Sequence, residues 1–218
     1  MKLFRNFVAL AAVVAASQVS ARGDILFANS TSNNGGSSGW AIFFDVTSLG
    51  QALNITEMTS FNTGAAGSAF SVSVFVRPGS GLGGPVGLGP GSSSAGWTSL
   101  GSASATQGAT ASGLSLPIDI PDIFVGAGST VGVAVQFATA GPRYFGTGTA
   151  PLQVFSDANL QLTTGDARSA PFTTGGSFFS SRGLAGSLTY SIVAVPEPGV
   201  VALVAFVTLG LFTTVRRR

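Results

Sequence analysis

Phe70-Ser71-Val72-Ser73-Val74-Phe75-Val76 alternates large apolar residues with serine, and Val131-Gly132-Val133-Ala134-Val135-Gln136-Phe137 repeats the pattern more sharply. A period of two puts every large side chain on one face of an extended chain, so each stretch reads as a strand with a buried face. Leu188, Tyr190 and Ile192 alternate with Thr189 and Ser191 in a third such strand. Working outward, weaker candidates lie at 24–29, 40–47, 54–61, 97–105, 112–118, 143–146 and 159–163. Glycine, serine, proline and asparagine clusters separate them, and no stretch between 22 and 195 carries a capped apolar period of 3.6 residues. About ten short strands with turn signals between them predict an all-β domain. At this length the expected form is a two-sheet antiparallel sandwich, jelly-roll-like, over residues 22–193.

Two segments interrupt the strands. Residues 29–39 form a Ser/Asn/Gly run, and residues 77–96 a Gly/Pro/Ser-rich loop of about twenty residues, a length that compact domains usually reserve for function or disorder. Only 8% of the chain is charged, against about 25% in ordinary globular proteins, so the surface is rich in hydroxyls instead. The formal net charge of +2 comes from the ends; between Arg22 and Val195 five arginines face seven carboxylates, a net −2. That balance argues against nucleic acid as a partner, which needs clustered Lys and Arg. There is no cysteine, which excludes disulfides, thiolate metal sites and thiol nucleophiles.

Histidine is absent as well, and that decides most of the catalytic motifs. Gly35-Gly36-Ser37-Ser38-Gly39 fits the G-x-S-x-G pattern, but a nucleophile elbow needs a strand-to-helix turn and a histidine base, so it reads as a turn. Gly79-Ser80-Gly81-Leu82-Gly83-Gly84 fits G-x-G-x-x-G after a strand, yet Pro85 and further glycines follow where a dinucleotide site needs a helix, so it reads as a loop. Asp119 and Asp122, around Pro121, and Asp157 and Asp166, around the Leu160 strand, are the remaining acid–base candidates. Turn capping is the preferred reading for them; an oxygen-ligated calcium site and a glycosidase-type carboxylate pair are the alternatives. No catalytic, cofactor or metal residue is assigned. Trp40 and Trp97, each opening a strand after a glycine-rich loop, are the candidate glycan contacts, with loop packing as the competing role.

The ends carry a different message. Lys2 and Arg5, an apolar stretch over 7–16 and the small residues Val19-Ser20-Ala21 fit a signal peptide over 1–21. In 194–218, Pro196-Glu197-Pro198 is an extended spacer, since two prolines forbid a helix there. Residues 199–215 follow without a charge; as a helix they measure about 26 Å, near the ~30 Å hydrocarbon thickness. Arg216, Arg217 and Arg218 then place the C-terminal side in the cytoplasm.

Val195-Pro196-Glu197-Pro198-Gly199, the apolar segment and the arginine cluster together resemble the PEP-CTERM sorting signal of exported bacterial proteins. Residues 178–190 are also similar to a closing strand region of β-sandwich proteins carrying that signal. The resemblance implies recognition by the membrane protease-transpeptidase exosortase and delivery to the envelope. The expectation is a non-enzymatic exported protein, first a single-pass inner-membrane precursor and then an envelope or extracellular-matrix component with a structural or adhesive role. The runner-up is a carbohydrate-binding module on exopolysaccharide, and a glycan-active enzyme is third.

Overall fold

The computed structural model describes residues 23–147 and 152–193. The segment 1–21, expected to be a signal peptide, and the segment 194–218, expected to be a sorting signal, with Pro196, Glu197, Pro198, Arg216, Arg217 and Arg218, lie outside the described residues. Thirteen strands run in order: β1 (Asp24–Phe27), β2 (Asn34–Gly35), β3 (Ala41–Ser48), β4 (Leu53–Ser60), β5 (Ala69–Pro78), β6 (Thr98–Thr106), β7 (Ile118–Val125), β8 (Thr130–Phe137), β9 (Arg143–Gly146), β10 (Val154–Ser156), β11 (Leu160–Arg168), β12 (Phe178–Leu184) and β13 (Gly186–Ile192). A 3-10 turn, Pro90–Ser92, interrupts the loop between β5 and β6. No helix among the described residues is long and apolar enough to cross a membrane.

All thirteen strands pair antiparallel, in two sheets. The smaller has the order β1-β13-β4-β7; the larger runs β2-β9-β12-β11-β3-β8-β5-β6, with β10 joining β11 on the edge that it shares with β12. Period-two alternation explains the core between them. Val72, Val74, Val133, Val135 and Phe137 of the larger sheet meet Leu53, Ile55, Ile123, Leu188 and Tyr190 of the smaller in one buried cluster. Phe70 and Phe137 stack within it at 6.2 Å between ring centroids. The result is a sandwich-like all-β fold.

Three strands depart from sequence expectation. Residues 112–117 are turn and bridge, and the strand lies downstream at Ile118–Val125. It contains Pro121, which an edge strand can hold: β7 lies at a sheet edge, and its pairing with β4 slips between Ile55 and Glu57, opposite the proline. An edge bulge is where a strand tolerates a residue without an N–H. Ile118, Ile120, Ile123 and Val125 still point inward. The strands β2 and β10 were too short to carry a pattern.

Central strands β3 and β8 are buried along both faces. On β3, Ile42, Phe44 and Val46 face the core, while Ala41 and Phe43 join a second, smaller cluster with Ala134 on the opposite face. Something must therefore cover the outside of the larger sheet.

Phe137 is fully buried in the main cluster. Phe137→Ala is expected to cost about 3–5 kcal/mol, read as a lower urea midpoint with an unchanged slope.

Candidate functional site

The cover is the glycine-rich loop between β5 and β6. Strand register brings Asp45, Gly132 and Arg77 side by side across β3, β8 and β5 on the outer face. Gly132 is where the loop touches down: a Cβ there would run into the Gly81 backbone. Gly81 N–H donates to Asp45 Oδ1 at 2.8 Å and Ser80 Oγ to Asp45 Oδ2 at 2.5 Å. Further along, Gly83 N–H donates to Asp166 Oδ2 at 2.6 Å. Arg168 completes the latch, donating to the carbonyls of Gly83 and Gly84 and to Ser92 Oγ at 2.9–3.2 Å. Its guanidinium also lies 4.6 Å from the Phe178 ring centroid and 5.9 Å from that of Phe43.

A bulge puts Asp166 and Arg168 there. Leu160 and Leu162 of β11 face the core, and strict alternation would send residues 166 and 168 the same way. The pairing of β11 with β3 shifts between Thr164 and Asp166, so Gly165 is skipped, and Asp166 and Arg168 stand opposite Phe43 and Ala41 on the outer face. A Cβ on Gly165 would press into Leu82 of the loop.

Aromatic rings seal the latch. Trp97 meets Phe43 and Phe172 edge-on at 5.6 and 5.3 Å, and Phe172 packs on Phe75 at 4.8 Å. Trp97 Nε1 donates to the Pro90 carbonyl, and Phe172 N–H to that of Gly91. Phe172 takes a φ of 63°, a conformation that a bulky residue holds only when its surroundings impose it.

Electrostatics follow from this burial. Burial pushes the Asp166 carboxyl from an ordinary 3.8 up to about 6, with the charge of Asp45 adding and the Gly83 N–H and Arg168 opposing. Burial raises Asp45 as well, against the hydrogen bonds from Ser80 and Gly81 and the charge of Arg77. Desolvation draws Arg168 below its ordinary value, while Asp166 resists the change. The two carboxylates are thus close enough to feel each other, yet both are held by loop donors.

The other sequence candidates lie elsewhere. Asp157 does cap a turn, accepting from the N–H groups of Asn159 and Leu160 at 2.9 Å and from the Tyr190 hydroxyl at 2.8 Å. Burial alone would raise its carboxyl; those hydrogen bonds outweigh it and leave the group below its ordinary value. Tyr190, buried beside it, is pushed up to about 12. Asp166, in contrast, sits within a strand and not in a turn, and Asp119 and Asp122 are likewise strand residues of β7. Asp122 accepts from Asn54 Nδ2 at 2.6 Å. Among the described residues no three His, Cys, Asp or Glu side chains group as metal ligands.

Trp40 and Trp97 are both half-buried and share no ring partner: Trp40 stacks on Phe179 at 5.4 Å. Gly35 closes β2, and the turn expected over Gly35 to Gly39 is confined to Ser38 and Gly39, the latter at a φ of 86°; Gly79 to Gly84 is a loop. Sequence reasoning missed Asp45 and Arg168 altogether. The one signal was a charged residue inside an otherwise apolar strand, Phe43-Phe44-Asp45-Val46. No protein-family model matches the chain, and no curated protein matches it.

Two outcomes test the latch. The folded chain binds the Asp166 proton more tightly than the unfolded one, so this stabilisation is complete below about pH 3.8 and is lost as pH rises through 6. The thermal midpoint should therefore fall by several degrees between pH 5 and 7.5, and Asp166→Asn should flatten that slope. Gly132→Ala should cost about 1–3 kcal/mol by overpacking and shift Trp97 emission to the red as the loop lifts.

Proposed function

We propose that the chain is an exported protein of the envelope or extracellular polymer matrix, with a structural or adhesive role and no catalytic one. The observation that carries this reading is the order of its segments. A basic, apolar, small-residue stretch over 1–21 precedes a β domain without histidine, cysteine or lysine. Pro196-Glu197-Pro198, an uncharged run over 199–215 and three arginines follow it. Positive residues flanking both apolar stretches put the β domain outside and the arginines in the cytoplasm. Exosortase-type processing at the Pro-Glu-Pro segment would then release the domain from the inner membrane.

The β domain suits that role. Its fold is best taken as a jelly-roll-like sandwich. Its electrostatically coupled carboxylates, Asp45 and Asp166, are engaged in holding a loop, with their charge facing backbone N–H groups. Without histidine, no side chain here has an ordinary pKa near neutrality for proton transfer. A carbohydrate-binding form of the same role is the second reading, favoured by a cleft where strands of the two sheets, β5, β6, β7 and β8, meet.

Deleting 199–218 removes the proposed membrane span, so the truncated chain should pass from the membrane pellet to the soluble exported fraction. Equal sedimentation of the truncated and full-length chains would overturn the anchoring assignment. Replacing Pro196-Glu197-Pro198 by three alanines should leave the precursor in the membrane.

A further inference from the structure

Where β5 ends, β6 begins and β7 turns into β8, an open cleft of about 710 Å³ is lined by Arg77, Thr98, Phe124, Ser129 and Thr130, with glycine backbone between them. That size lies within the range of small-molecule sites. Two of its features bear on a ligand. Phe124 is 61% exposed, the outward-facing residue of β7 between the buried Ile123 and Val125. Arg77 makes no side-chain hydrogen bond among the described residues; its Nε is enclosed by protein, so its two Nη groups are the donors left for a ligand in the cleft. A guanidinium with free donors favours a charge-assisted bond to an anionic acceptor.

Neighbours orient Arg77 without satisfying it. The Trp97 ring lies 5.7 Å from the guanidinium carbon, and the carboxylate whose charge is coupled to Arg77 is that of Asp45. Both Asp45 oxygens are taken by Ser80 and Gly81. A planar guanidinium backed by an aromatic ring is suited to a carboxylate, whose two oxygens match its fork. A phosphate, with about −1.5 to −2 charges, would face this single cation only. The other wall is a flat exposed ring, and the rim carries the hydroxyls of Thr98, Ser129 and Thr130. A sugar ring can stack on the former and hydrogen-bond to the latter.

We propose that this cleft binds a carboxylated sugar, a uronate unit of an acidic polysaccharide, with its carboxylate on Arg77 and its ring against Phe124. The proposal rests on the matrix reading above and gives it a ligand class. It also moves the contact from Trp97 itself to Arg77, with Trp97 as the support behind it.

The test is equilibrium binding of tetragalacturonate to the purified full chain in detergent, beside its methyl ester and acetate. Saturable binding is expected, weakened at least tenfold by Arg77→Gln, by Phe124→Ala and by esterification, with acetate unable to compete at equal carboxylate concentration. Phe124 is exposed, so its alanine variant decides the matter if Arg77→Gln fails to fold. No binding at millimolar ligand, equal binding of acid and ester, or unchanged affinity in Phe124→Ala would overturn the proposal. Competition by acetate would overturn the sugar and leave a simple anion site. Export is tested separately: binding by a chain that never reaches the membrane fraction sinks the matrix reading and leaves the cleft standing.

Discussion

A sheet buried on both faces needs a cover on its second face, and here the cover is a loop in which seven of the thirteen residues 79–91 are glycine. Phe43 and Ala134 in the centre of the larger sheet would otherwise meet water. Residues 79–91 lie over them chiefly as backbone, which brings N–H and C=O groups into a dry layer where each needs a partner. Asp45, Asp166 and Arg168 are those partners: two carboxylates accept from loop N–H groups and one guanidinium donates to loop carbonyls. Burying three charges is expensive. The fold offsets the cost by surrounding them with hydrogen bonds, and the part left over shows as the upward shift that burial gives both carboxyls.

The same constraint bears on function. Charges that pin a loop are poorly placed for acid–base chemistry on a substrate, because their lone pairs and protons already have partners. What the latch leaves available is its border. Trp97 closes the loop and supports Arg77, and beyond Arg77 the surface opens into the cleft with Phe124. Glycine at Gly81 and Gly132 lets loop and sheet approach closely enough for this border to form. A loop that reads as low-complexity punctuation is thus a structural layer.

Legibility differed by element for physical reasons. Strands whose large side chains alternate with small or polar ones, such as β5, β8 and β13, announced themselves because size follows the core-facing side, even in β8, where the other side is buried too. Strand β7 did not, since Pro121 breaks the expected donor pattern and only its place at a sheet edge makes the proline harmless. Asp157 was readable as a turn cap because an Asx turn is a local event spanning three residues. Asp45 and Asp166 answer to a loop dozens of residues distant, and no local pattern encodes that. The glycine-rich motif Gly79 to Gly84 was recognised as a loop for want of a helix after it, but its docking surface was invisible.

By itself, the sequence determined the all-β class, the absence of histidine and cysteine chemistry and the segment order that motivates export, because each depends on composition or on short-range periodicity. The tertiary structure alone decided which face of β11 carries its charges. A bulge at Gly165 turns Asp166 and Arg168 away from the core, and one skipped residue reverses the facing of everything after it. It alone set Arg77 beside Gly132 and against Trp97, and so placed a guanidinium without a hydrogen-bond partner among the described residues at a cleft. Such placements depend on strand register between segments far apart in the chain, a property of the packed sheets that no window of sequence contains.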